Sequence, residues 1–283
     1  MIKPVLSNDA FLNDVYTHRS QADTLNIWWL GQSGYLVQYN SEHLLLDPYL
    51  SDSLTKKYAN TPKPHVRMTE IVIAPERLDF IDVATSSHNH TDHLDGETII
   101  PLMQVNAEMT MIVPEANRDF AANRFQMEPA RLTGVTLDTP ITVGSFTFRS
   151  VPAAHEEIEQ DENGHHKFIG LMVEVGPYTI YHSGDTMLYD GMTETLLAAA
   201  NGRTVDVALL PINGRDPKRG VAGNLSGLEA VQVGRDINAQ LVIPCHYEMF
   251  EFNTVSPEAF VEGAEDSGQS YHVLKCGERL TFD

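Results

Sequence analysis

Three histidines and an aspartate fall within six consecutive positions in the segment Ser87-His88-Asn89-His90-Thr91-Asp92-His93-Leu94-Asp95-Gly96. Imidazole nitrogen and carboxylate oxygen together suit zinc, and they suit manganese or iron as well. Residues two apart point the same way along extended chain. His88 and His90 could therefore grip one ion, and Asp92 and His93, past the bend, could turn toward a second. A polar loop with coincidental histidines is the ordinary alternative, and a lone His-X-His would not exceed it. The whole pattern, placed at the C-terminal end of an apolar run at 81–86, does.

Three later segments repeat the placement. His155 ends Val151-Pro152-Ala153-Ala154-His155. Asp185 lies in Tyr181-His182-Ser183-Gly184-Asp185-Thr186. His246 ends Val242-Ile243-Pro244-Cys245-His246. Each follows a strand-like run, so each side chain is expected at a strand end.

This series of motifs resembles the metallo-β-lactamase superfamily, from Trp29-Leu30-Gly31-Gln32-Ser33-Gly34 to His246. More narrowly it looks like the branch of L-ascorbate-6-phosphate lactonases and related metal-dependent hydrolases. That likeness is carried by Asp47-Pro48-Tyr49-Leu50, His155-Glu156, Leu210-Pro211-Ile212-Asn213-Gly214-Arg215-Asp216 and Cys245-His246-Tyr247-Glu248-Met249-Phe250. The resemblance implies an α/β fold, an αββα four-layer sandwich of two mixed β-sheets with outer helices. It implies two divalent metal ions, manganese or zinc with iron as a further candidate. Carried over by position, His88, His90 and His155 would hold the first ion. Asp92, His93 and His246 would hold the second, with Asp185 bridging.

Two such cations would share a water, lower its pKa toward neutrality and polarise the oxygen under attack. Asp185 and Asp92 are the expected catalytic carboxylates. Asp92 would accept a hydrogen bond from the bridging hydroxide or pass a proton to the leaving group. Asp95 and Thr186 are candidates to hold the ligands from behind. For substrate, Arg215 offers a planar fork suited to phosphate or carboxylate, with Asn213 beside it. Tyr49 and Tyr247 are further substrate-binding candidates, although half-buried packing accounts for a tyrosine as readily. His165 and His166 fall in an acidic stretch at 156–167, read as a solvated loop. His182 is expected to point away from the metals.

The elements that must position these groups are legible from patterning. A helix is expected at 9–17, then strands at 25–30, 35–39 and 43–46. Gly31 and Gly34, then Asn40-Ser41, mark the turns. Residues 51–75 are polar and carry prolines, a surface excursion or lid. Strands are expected at 81–86, 110–113, 141–143, 146–151, 168–175, 178–182, 205–210, 240–243 and 271–274. Helices are expected after the histidine cluster and at 114–125, 190–200, 226–238 and 256–265. Asn224 or Ser226 would cap the helix at 226–238. Two sheets with helices outside them suit this alternation, in a single domain over 1–283.

The chain has 283 residues, 42% of them hydrophobic, enough for a sizeable core. Lys and Arg total 19 against 39 Asp and Glu, a net −20. Such charge repels polyanions, so no nucleic-acid partner is expected. A small anionic substrate still fits, because a few local cations can dominate a pocket. No apolar run reaches membrane-spanning or signal-peptide length, which predicts a cytoplasmic protein with no membrane partner. Cys245 and Cys276 form no disulfide framework; Cys245 reads as a buried thiol. Homo-oligomerisation is open, with a dimer as the default.

The function expected is therefore metal-dependent hydrolysis of a small ester-like substrate, with a (phospho)sugar lactone as the leading candidate. The alternatives are a phosphodiesterase on a small phosphodiester and a non-catalytic metal-binding protein of the same fold. A thiolester hydrolase would use nearly the same ligands.

Overall fold

The computed structural model describes residues 1–137 and 139–282. In chain order the strands are β1 (Leu25–Gly31), β2 (Gly34–Tyr39), β3 (Glu42–Leu46), β4 (Val83–Thr85), β5 (Thr110–Pro114), β6 (Leu132–Val135), β7 (Ile141–Val143), β8 (Phe146–Pro152), β9 (Ile169–Val175), β10 (Tyr178–His182), β11 (Val207–Pro211), β12 (Leu241–Cys245) and β13 (Arg279–Phe282). The helices are α1 (Asn8–His18), α2 (Ser53–Tyr58), α3 (Gly96–Val105), α4 (Arg118–Phe125), α5 (Met192–Ala199), α6 (Gly227–Asp236) and α7 (Glu258–Ser267).

Two mixed sheets form. The first runs β13-β1-β2-β3-β4-β5-β6 and the second β12-β11-β10-β9-β8-β7. Each joins an antiparallel meander to a parallel arm. In the first sheet β1, β2 and β3 pair antiparallel, and β3 to β6 pair parallel. In the second, β7 to β10 are antiparallel, and β10, β11 and β12 are parallel. Antiparallel strands need only tight turns: Asn40 and Ser41 both take positive φ (46° and 70°), the hairpin geometry their residue types favour. Parallel strands need crossovers, which α3, α5 and α6 supply.

Every residue of β1, β2 and β11 is buried. Strands covered on both faces read as continuous apolar runs, as in Trp28-Trp29-Leu30 and Val207-Ala208-Leu209-Leu210. Both sheets contribute to one apolar core.

Two strands escape sequence patterning. β6 is Leu-Thr-Gly-Val, whose central glycine weakens the strand signal, and β13 is only four residues long. The strand expected at 271–274 is not formed. Tyr271 makes an isolated bridge to Val242, and the chain then turns through Lys275–Glu278 to pair β13 with β1. Helix α6 carries a full capping box, with Ser226 as the cap and Glu229 closing it. The excursion at 51–75 contains the short helix α2 and is fastened to the 249–251 segment by backbone bonds from Met68 to Met249 and from Glu251 to Val66.

Candidate metal centre

All the sequence-predicted ligands lie just beyond strand ends. His88, His90, Asp92 and His93 follow β4, His155 follows β8, Asp185 follows β10 and His246 follows β12. The parallel arms bring their carboxyl ends to one edge, where open α/β sheets assemble sites.

Two triads form there. Ligand atoms of His88, His90 and His155 lie within 4.8 Å of one another, and so do those of Asp92, His93 and His246. Asp185 stands between the triads. Its Oδ1 is 3.3 Å from His93 Nε2, and its Oδ2 is 3.1 Å from His246 Nε2 and 3.7 Å from His155 Nε2. Each triad thus has its own ligands, and Asp185 reaches both.

The residues fit divalent ions. Among the described residues, the Nε2 atoms of His88 and His93 and the Oδ1 of Asp185 are buried without a hydrogen-bond partner. Buried polar atoms are almost always paired, so three orphans in one cluster of N and O donors mark where cations belong.

The tautomers of these histidines are set from behind. His93 Nδ1 donates to Asp47 Oδ2 at 2.6 Å. Ser87 Oγ donates to the same oxygen and sits 3.0 Å from His88 Nδ1, which donates to it. His155 Nδ1 donates to the Gly223 carbonyl at 2.9 Å. All three bonds consume Nδ1 and leave Nε2 for an ion, and such partners also raise ligand basicity. Gly184, at φ +60°, is required here: a Cβ would come within 2.6 Å of the Ser87 Cβ.

Electrostatics separate the two triads. Burial pushes His88 well below the usual imidazole value, and the neighbouring His93 and His90 add to it. Burial opposes charge on His93 too, but the Asp185 and Asp92 carboxylates outweigh it, and His93 is held well above. Burial would raise Asp185; the imidazoles of His246 and His93 prevail and hold it well below the carboxylate range. Asp92 is lowered by the same two imidazoles against its own burial. Asp47, Gln32 and His246 all take left-handed backbone, φ +40°, +52° and +62°. Such backbone is strained for these residues and clusters at functional sites.

The triads form the floor of a cleft of about 460 Å³, with His90, Asp92, His155, Asp185 and His246 in its lining. The opposite wall comes from elsewhere. Tyr58 stacks on His65 at 4.2 Å between ring centroids, and His65 packs against Phe250 and Phe252. Among the described residues, Lys57 and Arg124 are the cations lining the cleft, and the only carboxylates lining it are the ligands Asp92 and Asp185. Arg124 Nη1 donates to the carbonyls of Asn89 and Leu94, both at 2.8 Å, and so clamps the loop bearing His90, Asp92 and His93.

The substrate residues expected from sequence are not brought to this cleft. Arg215 pairs with Glu229 at 2.7 Å and lines an adjoining basin, with Val221 and Ala222 bordering both spaces. Its guanidinium is recruited by the carboxylate that closes the α6 capping box. Asn213 is buried and donates to Asn253. Tyr49 is buried, its hydroxyl accepting from Leu54 N, and burial pushes its pKa up to about 12. Tyr247 is buried against Trp29 and donates to the Leu274 carbonyl. Asp95 caps α3, bound by Ser51 and Thr98, while Thr186 Oγ1 accepts from Ala154 N beside His155. His182 faces the Ser33 carbonyl. Cys245 and Cys276 are free and buried.

Sequence reasoning missed Asp47, Ser87, Gln32 and Arg124. Asp47 was visible as the end of β3, where Asp-Pro reads as a strand terminator, and nothing local marked its carboxylate as a histidine partner.

A family model described as a beta-lactamase superfamily domain matches residues 43–247. A UPF0173 metal-dependent hydrolase of Archaeoglobus fulgidus is 29% identical over 92% of this chain and 100% of its own. Among solved structures, a possible metal-dependent hydrolase of Veillonella parvula aligns with TM-score 0.70 at 14% identity, covering 91% of this chain and 99% of that one. An isothiocyanate hydrolase from Delia radicum gut bacteria aligns with TM-score 0.68 at 16% identity, covering 91% and 99%. At those identities the two structures show the fold alone.

Proposed function

The chain belongs to the metallo-β-lactamase superfamily and is a metal-dependent hydrolase; from that premise we propose that it hydrolyses a small, anionic, ester-like substrate at two metal ions. A sugar-phosphate lactone is the candidate to test first. The observation that carries the reading is Asp185 set between two triads at the floor of a cleft of about 460 Å³. That volume matches a small-molecule site.

When bound, divalent ions supply the charge that acidifies a water and polarises the oxygen under attack. His88, His90 and His155 would hold one, and Asp92, His93 and His246 the other, with Asp185 between. Asp92 lies at the cleft and is held ionised by His93 and His246. It therefore enters the reaction as a proton acceptor and afterwards returns the proton to the leaving group. Lys57 and Arg124 favour an anionic substrate in a chain of net charge −20. The Tyr58, His65 and Phe252 rings offer an aromatic surface for the apolar face of a sugar or acyl group. Manganese, zinc and iron all fit these donors.

The test loads the metal-free protein separately with manganese and zinc. The panel holds phosphorylated and plain sugar lactones, an acyl-homoserine lactone, a thiolester and an activated phosphodiester. Phosphorylated lactones should turn over best, and His90→Ala should be inactive. Turnover of the phosphodiester alone would overturn the substrate class and leave the metal chemistry standing.

A further inference from the structure

Gln32 sits in the turn between β1 and β2 with a side chain 1% exposed. Its Nε2 is 2.7 Å from Asp92 Oδ2 and 3.1 Å from His246 Nε2, two atoms of the second triad. Its Oε1 is buried and has no hydrogen-bond partner among the described residues. We propose that Gln32 is an additional protein ligand of the ion held by Asp92, His93 and His246, through Oε1 after its amide turns over.

Three arguments converge. The first is spacing. Atoms about 2.1 Å from a common six-coordinate ion lie about 3 Å apart, and the Gln32 terminus stands at that separation from both neighbours. The second is polarity. Without an ion, the Asp92 carboxylate presents lone pairs to Gln32 Nε2, and an N–H group is the right neighbour. With a dication between them the field reverses, and the carbonyl end of the amide dipole is favoured. The two ends of a carboxamide are nearly the same size, so a half-turn about its last bond makes the exchange without moving the rest of the side chain. That turn also gives the orphaned oxygen a partner, the ion itself. The third is placement. The Gln32 carbonyl accepts from Trp29 Nε1 and from the backbone N of His246, each at 3.0 Å. The residue is thus tied to the backbone of the ligand it would join, in a left-handed conformation that a freely chosen turn residue avoids. A neutral oxygen added to two imidazoles and carboxylate favours a six-coordinate ion such as manganese over tetrahedral zinc at this position.

This inference rests on the two-triad reading, and the experiment separates them. Manganese is titrated into metal-free protein, followed by calorimetry and by the electron paramagnetic resonance signal of free Mn(II). Wild type should bind two ions and His246→Ala one; a wild type that binds no second ion sinks the triad reading itself. In Gln32→Met, which keeps length and loses the carbonyl, the second ion should bind roughly 10–100-fold more weakly and the first within about two-fold. Gln32→Glu discriminates between roles and does not depend on Gln32→Met folding. If Gln32 donates an oxygen, a carboxylate in its place keeps or tightens the second ion. If its function is to donate N–H to Asp92 and His246, the carboxylate repels Asp92 and binding weakens. Weakened binding in Gln32→Glu, or unchanged binding in Gln32→Met, overturns the proposal.

Discussion

On the floor of the cleft every ligand lies within eight residues of a strand end, and His88, His93 and His155 are held from behind by a buried partner. On the wall facing it, Lys57, Tyr58 and His65 come from the 51–75 excursion and Phe250 and Phe252 from the segment after β12. The floor is fixed by the two sheets and their polar supports. The wall is fixed by ring packing and by a few backbone bonds between two irregular segments. Such a division lets one metal chemistry be kept while the recognised group changes with the loops. It also says where substitutions should hurt reaction and where they should only change preference.

The largest effect is expected from Asp185→Asn, which removes charge shared by both triads. Metal content should fall below two ions per chain, and kcat/KM should drop by roughly 10³-fold or more. Two tightly held ions and near-normal turnover would break the distinction between floor and wall. Asp47→Asn should come next. It weakens the bond that orients His93 and, through Ser87, His88, so metal affinity should fall about 10–100-fold by calorimetry with the fold intact.

A pH titration sharpens the comparison inside the floor. His93 is held above its ordinary value and carries a proton near neutrality in the metal-free protein; His88 is held below and does not. An ion entering the second triad must displace that proton, so its affinity should rise with pH through the ordinary imidazole range and beyond it, with proton uptake by the buffer. Affinity at the first triad, where burial holds His88 and His90 low, should rise less. Equal slopes for the two ions would contradict the assignment.

Smaller effects belong to the wall. Lys57→Ala should raise KM for a phosphorylated ester roughly three- to five-fold and leave kcat unchanged, since an exposed charge contributes about 1 kcal/mol or less. Arg215→Ala, paired with Glu229 beyond the Val221–Ala222 border, should change KM less than about two-fold. A large KM effect at Arg215 with none at Lys57 would place the anion in the adjoining basin.

The same division explains what could be read from sequence. His88-Asn89-His90-Thr91-Asp92-His93 is local, its residue types are rare together, and the strand before it is a plain apolar run. His155, Asp185 and His246 were visible because each ends such a run. β6 and β13 were not, since a glycine and a four-residue length leave little pattern. Asp47 was hidden because its partner is 46 positions away. Arg215 misled because a guanidinium in a loop rich in polar residues reads as a ligand anchor, while the Glu229 that neutralises it lies one turn into α6. Tyr49 and Tyr247 lie near strand ends as expected, yet their hydroxyls are already engaged by Leu54 and Leu274. Sequence near a strand end says which residues reach an edge of the fold, and only the packing around them says which way they face.

The ligands are also ordered in time. A chain is synthesised from its N-terminus, and earlier parts can fold before later ones exist. His88, His90 and His155 are all made before Asp185, and His246 comes last, just after the strand β12 at the edge of the second sheet. A nascent chain therefore holds every donor of the first triad while the second still lacks His246. Loading would proceed in a set succession, and hydrolytic competence would arrive only with His246, so a partly made chain could carry metal without carrying activity.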